Sequence, residues 1–349
     1  MRLSWTDEFQ RAPFASEYLS YGPAAWQGQA LVVDSARNIY LVDPATGSAV
    51  KRGTVPGKGV PLGAPVAAGD LLLLAEGTTL HATRLTDGGN AWEFNAQEIG
   101  YLPAAVERNM VLWVTQSAVD SLHNPGTLHA LDRATGALRW EVSVSGLGAM
   151  GGMAVRDGVA YLSTPPSAYD VATGKLLWEA DVRGISYGGV ALNAAGDTLF
   201  VAAVSANLSD GLIVALDSSN GNERWRQALK GEYLDLLFES VLLDGQTLVV
   251  PLATHALVGL DAANGTQRWR YAPPQPLAGR VTVGEGHVFL SLQNGHVVAL
   301  DTPSGTVAGV SRDFETNLNS LQARPRALLL AGRLIVPLTS RLIGYTLER

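Results

Sequence analysis

Residues 127–140 read TLHALDRATGALRW, and this stretch decides the fold. An apolar run ends at Asp132, a short turn holds Gly136, and a second run ends at Trp140. Glycine suits such a turn because it adopts positive φ without steric cost, and an aspartate can accept hydrogen bonds from the backbone of the turn. Trp140 is too large to be buried within its own hairpin. The stretch therefore predicts a β-hairpin that packs against another part of the chain.

The pattern Asp-x-x-x-Gly-x-x-x-Trp recurs along the chain. Full copies end at Trp178, Trp225 and Trp269, and Trp92 ends a copy in which Arg84 replaces the aspartate. In two partial copies a different residue stands in the tryptophan slot. The slots fall at positions 51, 92, 140, 178, 225, 269 and 309, in steps of 38 to 48 residues. Such a period indicates a repeat architecture.

The last copy, RLIGYT at 341–346, has no second half before the chain ends. The N-terminal MRLSW resembles ALRW at 137–140, so the first strand is predicted to complete the last blade and leave no open sheet edge. We predict an all-β fold: one domain, 1–349, forming an eight-bladed β-propeller of four-stranded antiparallel blades. The expected blade-docking residues are Trp5, Trp92, Trp140, Trp178, Trp225 and Trp269. Lys51 and Gly309, which replace the tryptophan, mark the weakest expected junctions.

The Ala-x-Asp-x-x-Thr-Gly-x-x-x-Trp pattern, cleanest at 130–140, resembles the tryptophan-docking repeat of pyrroloquinoline quinone (PQQ) type β-propellers. That superfamily includes quinoprotein alcohol dehydrogenases and BamB-like scaffolds of bacterial outer-membrane assembly. The resemblance covers essentially the whole chain. It is specific for the fold and weak for function, because the motif is structural.

Composition excludes several classes of function. The net charge of −7 argues against a nucleic-acid surface, which needs clustered Lys and Arg. The absence of cysteine excludes disulfides, zinc–thiolate sites, cysteine nucleophiles and a lipoprotein anchor on this sequence. No stretch reaches the ~20 apolar residues of a membrane span, and no signal peptide is seen. We expect a monomeric bacterial protein, either cytoplasmic or exported with its signal peptide absent from this sequence.

Longer connections at 6–22, 116–126, 206–210 and 310–322 interrupt the repeats. Each of them either joins the last strand of one blade to the first strand of the next or joins the middle and third strands within a blade. In propellers of the family that the sequence resembles, these two classes of loop share the face around the channel mouth, which implies one binding face. Tolerated drift of loop length is the alternative. The predicted partner-binding residues on this face are Tyr21, Tyr101, Asp120, Leu122, His123, Tyr187, Tyr233, Arg280 and Arg324. Tyrosine suits a binding rim, although these tyrosines could equally pack within the repeats.

No catalytic or metal-binding residue stands out. His81 and His129 occupy the same position of the third strand in consecutive repeats, so a shared packing role is expected. The motif aspartates are expected to hold turns. The GAMGG stretch at 148–152 precedes a strand and fails the context of a phosphate-binding loop.

Three functions remain open from the sequence. The favoured one is a non-catalytic scaffold, resembling BamB-like propellers, that binds a protein or peptide partner and carries no cofactor. The alternative is a quinoprotein dehydrogenase that holds PQQ and Ca²⁺; Glu232, Asp235, Glu239 and Asn319 could supply oxygen ligands but form no recognisable motif. A sensor propeller for another small ligand is the third.

Overall fold

The computed structural model describes most of the chain, and for a few of these residues it describes the backbone alone. The described ranges are 4–11, 22–34, 36–58, 63–100, 103–116, 125–144, 152–205, 209–234, 241–311, 326–337 and 342–348. Only the backbone is described at 4–11, 185, 187, 347 and 348.

All regular structure in the described residues is β, in eight separate four-stranded antiparallel sheets. This is the eight-bladed β-propeller that the sequence predicts. The chain divides into two compact units, one of Met1–Glu76, Leu80–Glu93 and Pro273–Arg349 and the other of Gly77–Thr79 and Phe94–Ala272. That residues 1–349 form a single domain stays a prediction.

The first unit contains blades 1, 2, 7 and 8, apart from the ends of two strands in blade 2. Blade 1 comprises β2 (Ala24–Trp26), β3 (Gln29–Val33), β4 (Asn38–Val42) and β5 (Ala49–Thr54). Blade 2 comprises β6 (Val66–Ala68), β7 (Leu71–Glu76), β8 (Thr79–Arg84) and β9 (Asn90–Asn95). Blade 7 comprises β26 (Thr282–Gly284), β27 (His287–Ser291), β28 (Val297–Asp301) and β29 (Val307–Val310). Blade 8 comprises β30 (Leu328–Leu330), β31 (Arg333–Pro337), β32 (Leu342–Glu348) and, from the start of the chain, β1 (Ser4–Arg11).

The second unit contains blades 3 to 6. Blade 3 comprises β10 (Ala105–Glu107), β11 (Met110–Thr115), β12 (Gly126–Asp132) and β13 (Leu138–Val144). Blade 4 comprises β14 (Met153–Arg156), β15 (Val159–Ser163), β16 (Pro166–Asp170) and β17 (Leu176–Glu179). Blade 5 comprises β18 (Gly184–Leu192), β19 (Thr198–Ser205), β20 (Gly211–Asp217) and β21 (Glu223–Leu229). Blade 6 comprises β22 (Leu242–Asp244), β23 (Thr247–Pro251), β24 (Leu257–Asp261) and β25 (Gln267–Tyr271).

The N-terminal strand completes the last blade, as the sequence predicts. Strand β1 pairs antiparallel with β32, and the register places Ser4 opposite Glu348 and Trp5 opposite Leu347. The side chain of Trp5 lies outside the described residues.

The hydrophobic core lies between neighbouring sheets, because successive side chains of a strand point to opposite faces. In the second unit, Leu112 and Val114 of β11 pack with Leu162 and Tyr169 of blade 4. Blades 4 and 5, and blades 5 and 6, share equivalent clusters. Blades 4 and 5 therefore bury both faces against their neighbours within the unit, which explains their continuously apolar central strands.

Tryptophans at the ends of the repeats join the blades of the second unit. The indole Nε1–H groups of Trp140, Trp178 and Trp225 donate to backbone carbonyls in the turn of the next blade, at 3.0, 2.8 and 3.1 Å; the acceptors are Val171, Ser218 and Ala262. Each indole also covers the turn glycine of that next blade, where an added Cβ would lie 2.6 to 2.7 Å from the ring; these glycines are Gly174, Gly221 and Gly265, with φ between +72° and +75°. Glycine is thus required for two reasons: the backbone has a positive φ, and the indole leaves no room for a Cβ.

In the junction between blades 1 and 2, backbone occupies the place of the missing tryptophan. A Cβ on Gly88 would overlap the carbonyl oxygen of Arg52 and lie 2.7 Å from the Cα of Gly53. The indole of Trp26 donates to the carbonyl of Gly69 at 2.6 Å in the same junction. At the position where other repeats place a tryptophan, the backbone segments that contain Gly53 and Gly88 therefore contact each other directly.

Candidate interaction surface around Tyr233

The structure describes two side chains of the predicted partner-binding set, Tyr233 and Arg280, which belong to different units. Arg280 forms an isolated parallel bridge with Arg326 through the backbone. Tyr187 lies in β18, and only its backbone is described. The other members of the set lie outside the described residues; they are Tyr21, Tyr101, Asp120, Leu122, His123 and Arg324.

Tyr233 presents an exposed ring from a fixed backbone. Its side chain is 56% exposed, and it is the one aromatic residue among the large hydrophobic side chains that are exposed in the described ranges. On one side, the amide of Gly211 donates to the carbonyl of Glu232 at 2.6 Å, and on the other the amide of Ala253 donates to the carbonyl of Tyr233 at 2.8 Å. Leu234 follows, buried and bridged to Leu252. The backbone that carries the exposed ring is therefore already ordered, so binding a partner through the ring would cost little further backbone entropy.

The connection that carries Tyr233 is tied to the loop that precedes it in blade 5. The carboxylate Oδ1 of Asp210 accepts from the amide of Gly231 at 2.8 Å. Asp210 is itself fixed, since its amide donates to Oγ of Ser205 at 3.0 Å and its carbonyl accepts from the Ser205 amide at 2.9 Å. The loop after β19 and the connection after β21, at the same end of blade 5, are thus hydrogen-bonded to each other beside the tyrosine.

A charged groove adjoins this connection. It has a volume of about 330 Å³ and lies between β21 and β25, with Gln227, Lys230, Glu232, Gln267 and Arg270 among its lining residues. Glu232 pairs with Arg270 at 2.6 Å, and both side chains are partly exposed, at 25% and 40%. The groove thus offers an amide-rich, doubly charged wall beside an aromatic ring, a chemistry that suits hydrogen bonding to a peptide chain.

A second polar cluster lies at the base of the blade 3 insertion. The carboxylate of Glu98 accepts from the hydroxyls of Thr115 at 3.3 Å and Thr127 at 3.2 Å, where β11 ends and β12 begins. The Thr115 hydroxyl also shares a hydrogen bond of 2.9 Å with Nε2 of His129. Glu98 therefore clamps the two strands between which residues 117–124 lie. Sequence reasoning missed this contact, because the partners of Glu98 are 17 and 29 residues away.

The two equivalent histidines share their surroundings. Nδ1 of His81 lies 3.3 Å from Glu93 and Nδ1 of His129 lies 3.3 Å from Glu141; each glutamate directly follows the tryptophan of its repeat. Burial lowers the pKa of His129, and the carboxylates of Glu141 and Glu98 oppose that shift. Both imidazoles are almost fully buried. Their place is inside the blades and away from an accessible site.

The motif aspartates hold turns, and Asp132, Asp217 and Asp261 also bind arginines. Oδ1 of Asp132 accepts from the amide and hydroxyl of Thr135, both at 3.0 Å, and Oδ2 pairs with Arg139 at 2.6 Å. The bond from Arg139 is the main cause that lowers the pKa of Asp132 to about 2, with Thr135 next. Hydrogen bonds from Ser219 and then Arg224 lower the pKa of Asp217, also to about 2. These carboxylates are ionised structural acceptors, unsuited to proton transfer near neutral pH.

The dehydrogenase alternative requires several oxygen ligands that converge on a calcium ion. In the ranges that the structure covers, no three His, Asp or Glu side chains converge in a way that could hold a metal ion. Glu232, one of the four candidate ligands, is already engaged by Arg270. Asp235, Glu239 and Asn319 lie outside the described residues. Nor does any helix in the described part of the chain have the length and apolarity to cross a bilayer.

The fold and the repeat define a class, the β-propellers built from PQQ-type repeats. The model of the family described as outer membrane protein assembly factor BamB matches residues 2–165, 167–240 and 209–348, so the chain belongs to this family. This confirms the resemblance seen in the sequence. No curated protein matches the chain.

Solved structures with the same fold include BamB and two dehydrogenases. BamB from Moraxella catarrhalis is 13% identical with a TM-score of 0.75, over 99% of this chain and 98% of that one. The quinohemoprotein alcohol dehydrogenase from Comamonas testosteroni is 11% identical with a TM-score of 0.70, over 98% and 76%. A europium-containing methanol dehydrogenase is 12% identical with a TM-score of 0.69, over 97% and 84%. At these identities the likeness establishes the fold alone.

Proposed function

We propose that this protein is a non-catalytic scaffold that binds an extended segment of a protein partner through the surface around Tyr233. The observation that carries the proposal is the exposed ring of Tyr233 on a backbone held from both sides. An aromatic anchor beside polar groups that exclude water is the usual make-up of an interaction hot spot. Membership of a family described as an assembly factor supports the same proposal.

The rim of this surface fits a peptide better than a small cofactor. Tyr233 supplies apolar area, while the Glu232–Arg270 pair and the glutamines of the groove supply donors and acceptors for main-chain groups. The open groove leaves room for an elongated ligand.

The proposal is tested by photo-crosslinking. Tyr233 is replaced by p-benzoylphenylalanine, and Val50, which is 50% exposed on blade 1, receives the same replacement as the control. In lysate of the source organism we expect a crosslinked protein specific to position 233, and Tyr233→Ala should lower capture of that protein by about tenfold or more. Identical crosslinks at both positions, or full capture by Tyr233→Ala, would overturn the proposal.

The dehydrogenase alternative rests on the fold shared with two enzymes. When bound, PQQ with Ca²⁺ would supply the redox chemistry. The scaffold is favoured because Asp132 is engaged by Arg139 and Glu232, a candidate calcium ligand, by Arg270.

A further inference from the structure

Three sister repeats carry an arginine that folds back onto the turn aspartate. The arginine precedes the tryptophan, and its Nη2 atom lies 2.6, 2.9 and 2.6 Å from Oδ2 of the aspartate in blades 3, 5 and 6; the pairs are Arg139–Asp132, Arg224–Asp217 and Arg268–Asp261. The backbone explains the geometry. In blade 3, Trp140 pairs with Ala130 and Leu138 with Leu131, so Arg139 is the extra residue of a β-bulge. The bulge frees this side chain from the strand pairing.

Blade 4 keeps the bulge but has lost the arginine. Trp178 pairs with Ala168 and Leu176 with Tyr169, which leaves Leu177 as the bulged residue. Asp170 still holds its turn, since Oδ1 accepts from the amide of Thr173 at 2.8 Å and from its hydroxyl at 2.7 Å. Within the part of the chain that the structure describes, Asp170 makes no ion pair. The charge of Lys175 acts on this carboxylate without forming a salt bridge, and Leu177 holds the position from which three sister repeats supply an arginine.

The neighbouring surface of blade 4 is apolar. Leu176 is 45% exposed and Leu177 47% exposed. The corresponding residues are Leu138–Arg139 in blade 3, Glu223–Arg224 in blade 5 and Gln267–Arg268 in blade 6, so among these four blades two apolar residues occur together in blade 4. Single exposed leucines need no explanation. Two consecutive exposed leucines beside a carboxylate that makes no ion pair, however, combine apolar area and negative charge on one uncovered surface, as expected of a contact with a partner.

We propose that Asp170, Leu176 and Leu177 form a docking site for an extended segment of a partner protein that carries an arginine next to an apolar residue. The guanidinium occupies the place that the sister arginines occupy against the aspartate, and the apolar neighbour covers the leucines. The sister repeats show the complementary charge directly, at 2.6 to 2.9 Å. Arginine fits better than lysine because its flat fork matches a carboxylate and its stem covers apolar surface.

This site is separate from the surface around Tyr233. It lies at the turns of the Asp-x-x-x-Gly motif, and none of its three residues lines the groove beside β25. Loss of one site therefore leaves the other intact, and the two proposals fail separately.

The internal repeats supply both a loss and a gain variant. Leu177→Arg restores the sister arrangement, so the introduced guanidinium should pair with Asp170 and block the site without loss of stability. Arg139→Leu does the reverse, because blade 3 then reads Leu-Leu-Trp after its turn, as blade 4 does. Arg139 is 55% exposed, so the change should leave the fold intact.

The probe is a phage-displayed library of random dodecapeptides, selected on the wild-type chain with counter-selection on Leu177→Arg. We expect enrichment of sequences with arginine beside an apolar residue. Titration calorimetry with the strongest synthetic peptide should give one site for wild type, none for Leu177→Arg and two for Arg139→Leu. A citrulline twin, which lacks the charge, should bind at least tenfold more weakly.

Several results would overturn the proposal. These are enrichment without arginine, undiminished binding to Leu177→Arg, equal binding of the citrulline twin, or one site on Arg139→Leu. Wild-type dimerisation that Leu177→Arg abolishes, measured by light scattering, would also overturn it, because the occupant would then be a second copy of the chain.

Discussion

The indole Nε1–H of Trp178 donates to the backbone carbonyl of Ser218, which lies 2.8 Å away in the next blade. The same ring covers Gly221, so one side chain makes both a polar and an apolar contact with a single turn. The same pair of contacts recurs at the junctions between the blades of the second unit.

Removal of this indole should be costly. Trp178 is 8% exposed, and Trp178→Ala should lower the free energy of unfolding by about 3–5 kcal/mol through the cavity that it leaves and the lost bond to Ser218. Urea unfolding followed by circular dichroism measures the change. Leu138→Ala, at a side chain 45% exposed, is the control and should stay within about 0.5 kcal/mol. Equal effects would contradict the docking role of the indole.

Alanine at the turn glycine should be worse than alanine at an unpacked glycine with a similar backbone. Gly221 has φ +74° and an added Cβ would lie 2.6 Å from Trp178, whereas Gly245 has φ +60° with nothing near. Gly245→Ala should cost about 1 kcal/mol from backbone strain alone, and Gly221→Ala about 1–3 kcal/mol more. In the Trp178→Ala background that extra cost should disappear. An unchanged cost there would mean that the indole is not what excludes the Cβ.

Acid should weaken the turns in a defined pH window. Asp132 and Asp217 have pKa values of about 2 in the folded protein, below the ordinary value for an aspartate, so their contribution is present above about pH 4 and is lost as pH falls towards 2. Asp217→Asn should flatten the fall of the urea midpoint between pH 4 and pH 2. A parallel fall in variant and wild type would contradict the prediction.

His129 should make the fold sensitive to mild acid. Burial lowers its pKa in the folded state, so the unfolded chain takes up a proton first and stability falls as pH drops below about 6.5. His129→Gln should remove this part of the pH dependence between pH 7 and pH 5, while it costs some stability at pH 7 through the lost bond to Thr115. The melting temperature, measured across that range, checks both signs. A variant that keeps the wild-type slope would assign the dependence to other groups.

The scaffold proposal also predicts the response to a cofactor. Addition of PQQ with Ca²⁺ should leave the melting temperature within error. A tightly bound ligand at a hundredfold excess over its Kd would stabilise the folded state by about 2.7 kcal/mol, a shift of several degrees. Such a shift, absent with Ca²⁺ alone, would favour the dehydrogenase alternative.

The repeat pattern carried most of the fold. A glycine and a tryptophan at fixed spacing indicate a positive-φ turn and a large buried ring. Both features depend on a short stretch of sequence, so they can be predicted from it. The filling of the Lys51 slot was not readable, because it depends on Gly53 and Gly88 approaching from different blades. That the junctions at Lys51 and Gly309 are the weakest stays a prediction.

The candidate surfaces were harder to derive. Whether Tyr233 packs or projects depends on bonds to Gly211 and Ala253, which lie about twenty residues away on either side. The sequence offered both alternatives for this ring. The arginine before the tryptophan is visible in three repeats, yet its pairing depends on a bulge that no single strand reveals. Leu177 becomes informative only after that pairing is known.

The pairing of Ser4 with Glu348 has a consequence for biosynthesis. Strand β1 is translated before its partner β32 by the length of seven blades, which at about 5–20 residues per second takes some 20–70 seconds. Until then β1 has no strand to pair with, and the nascent chain exposes an unpaired edge that chaperones would have to shield.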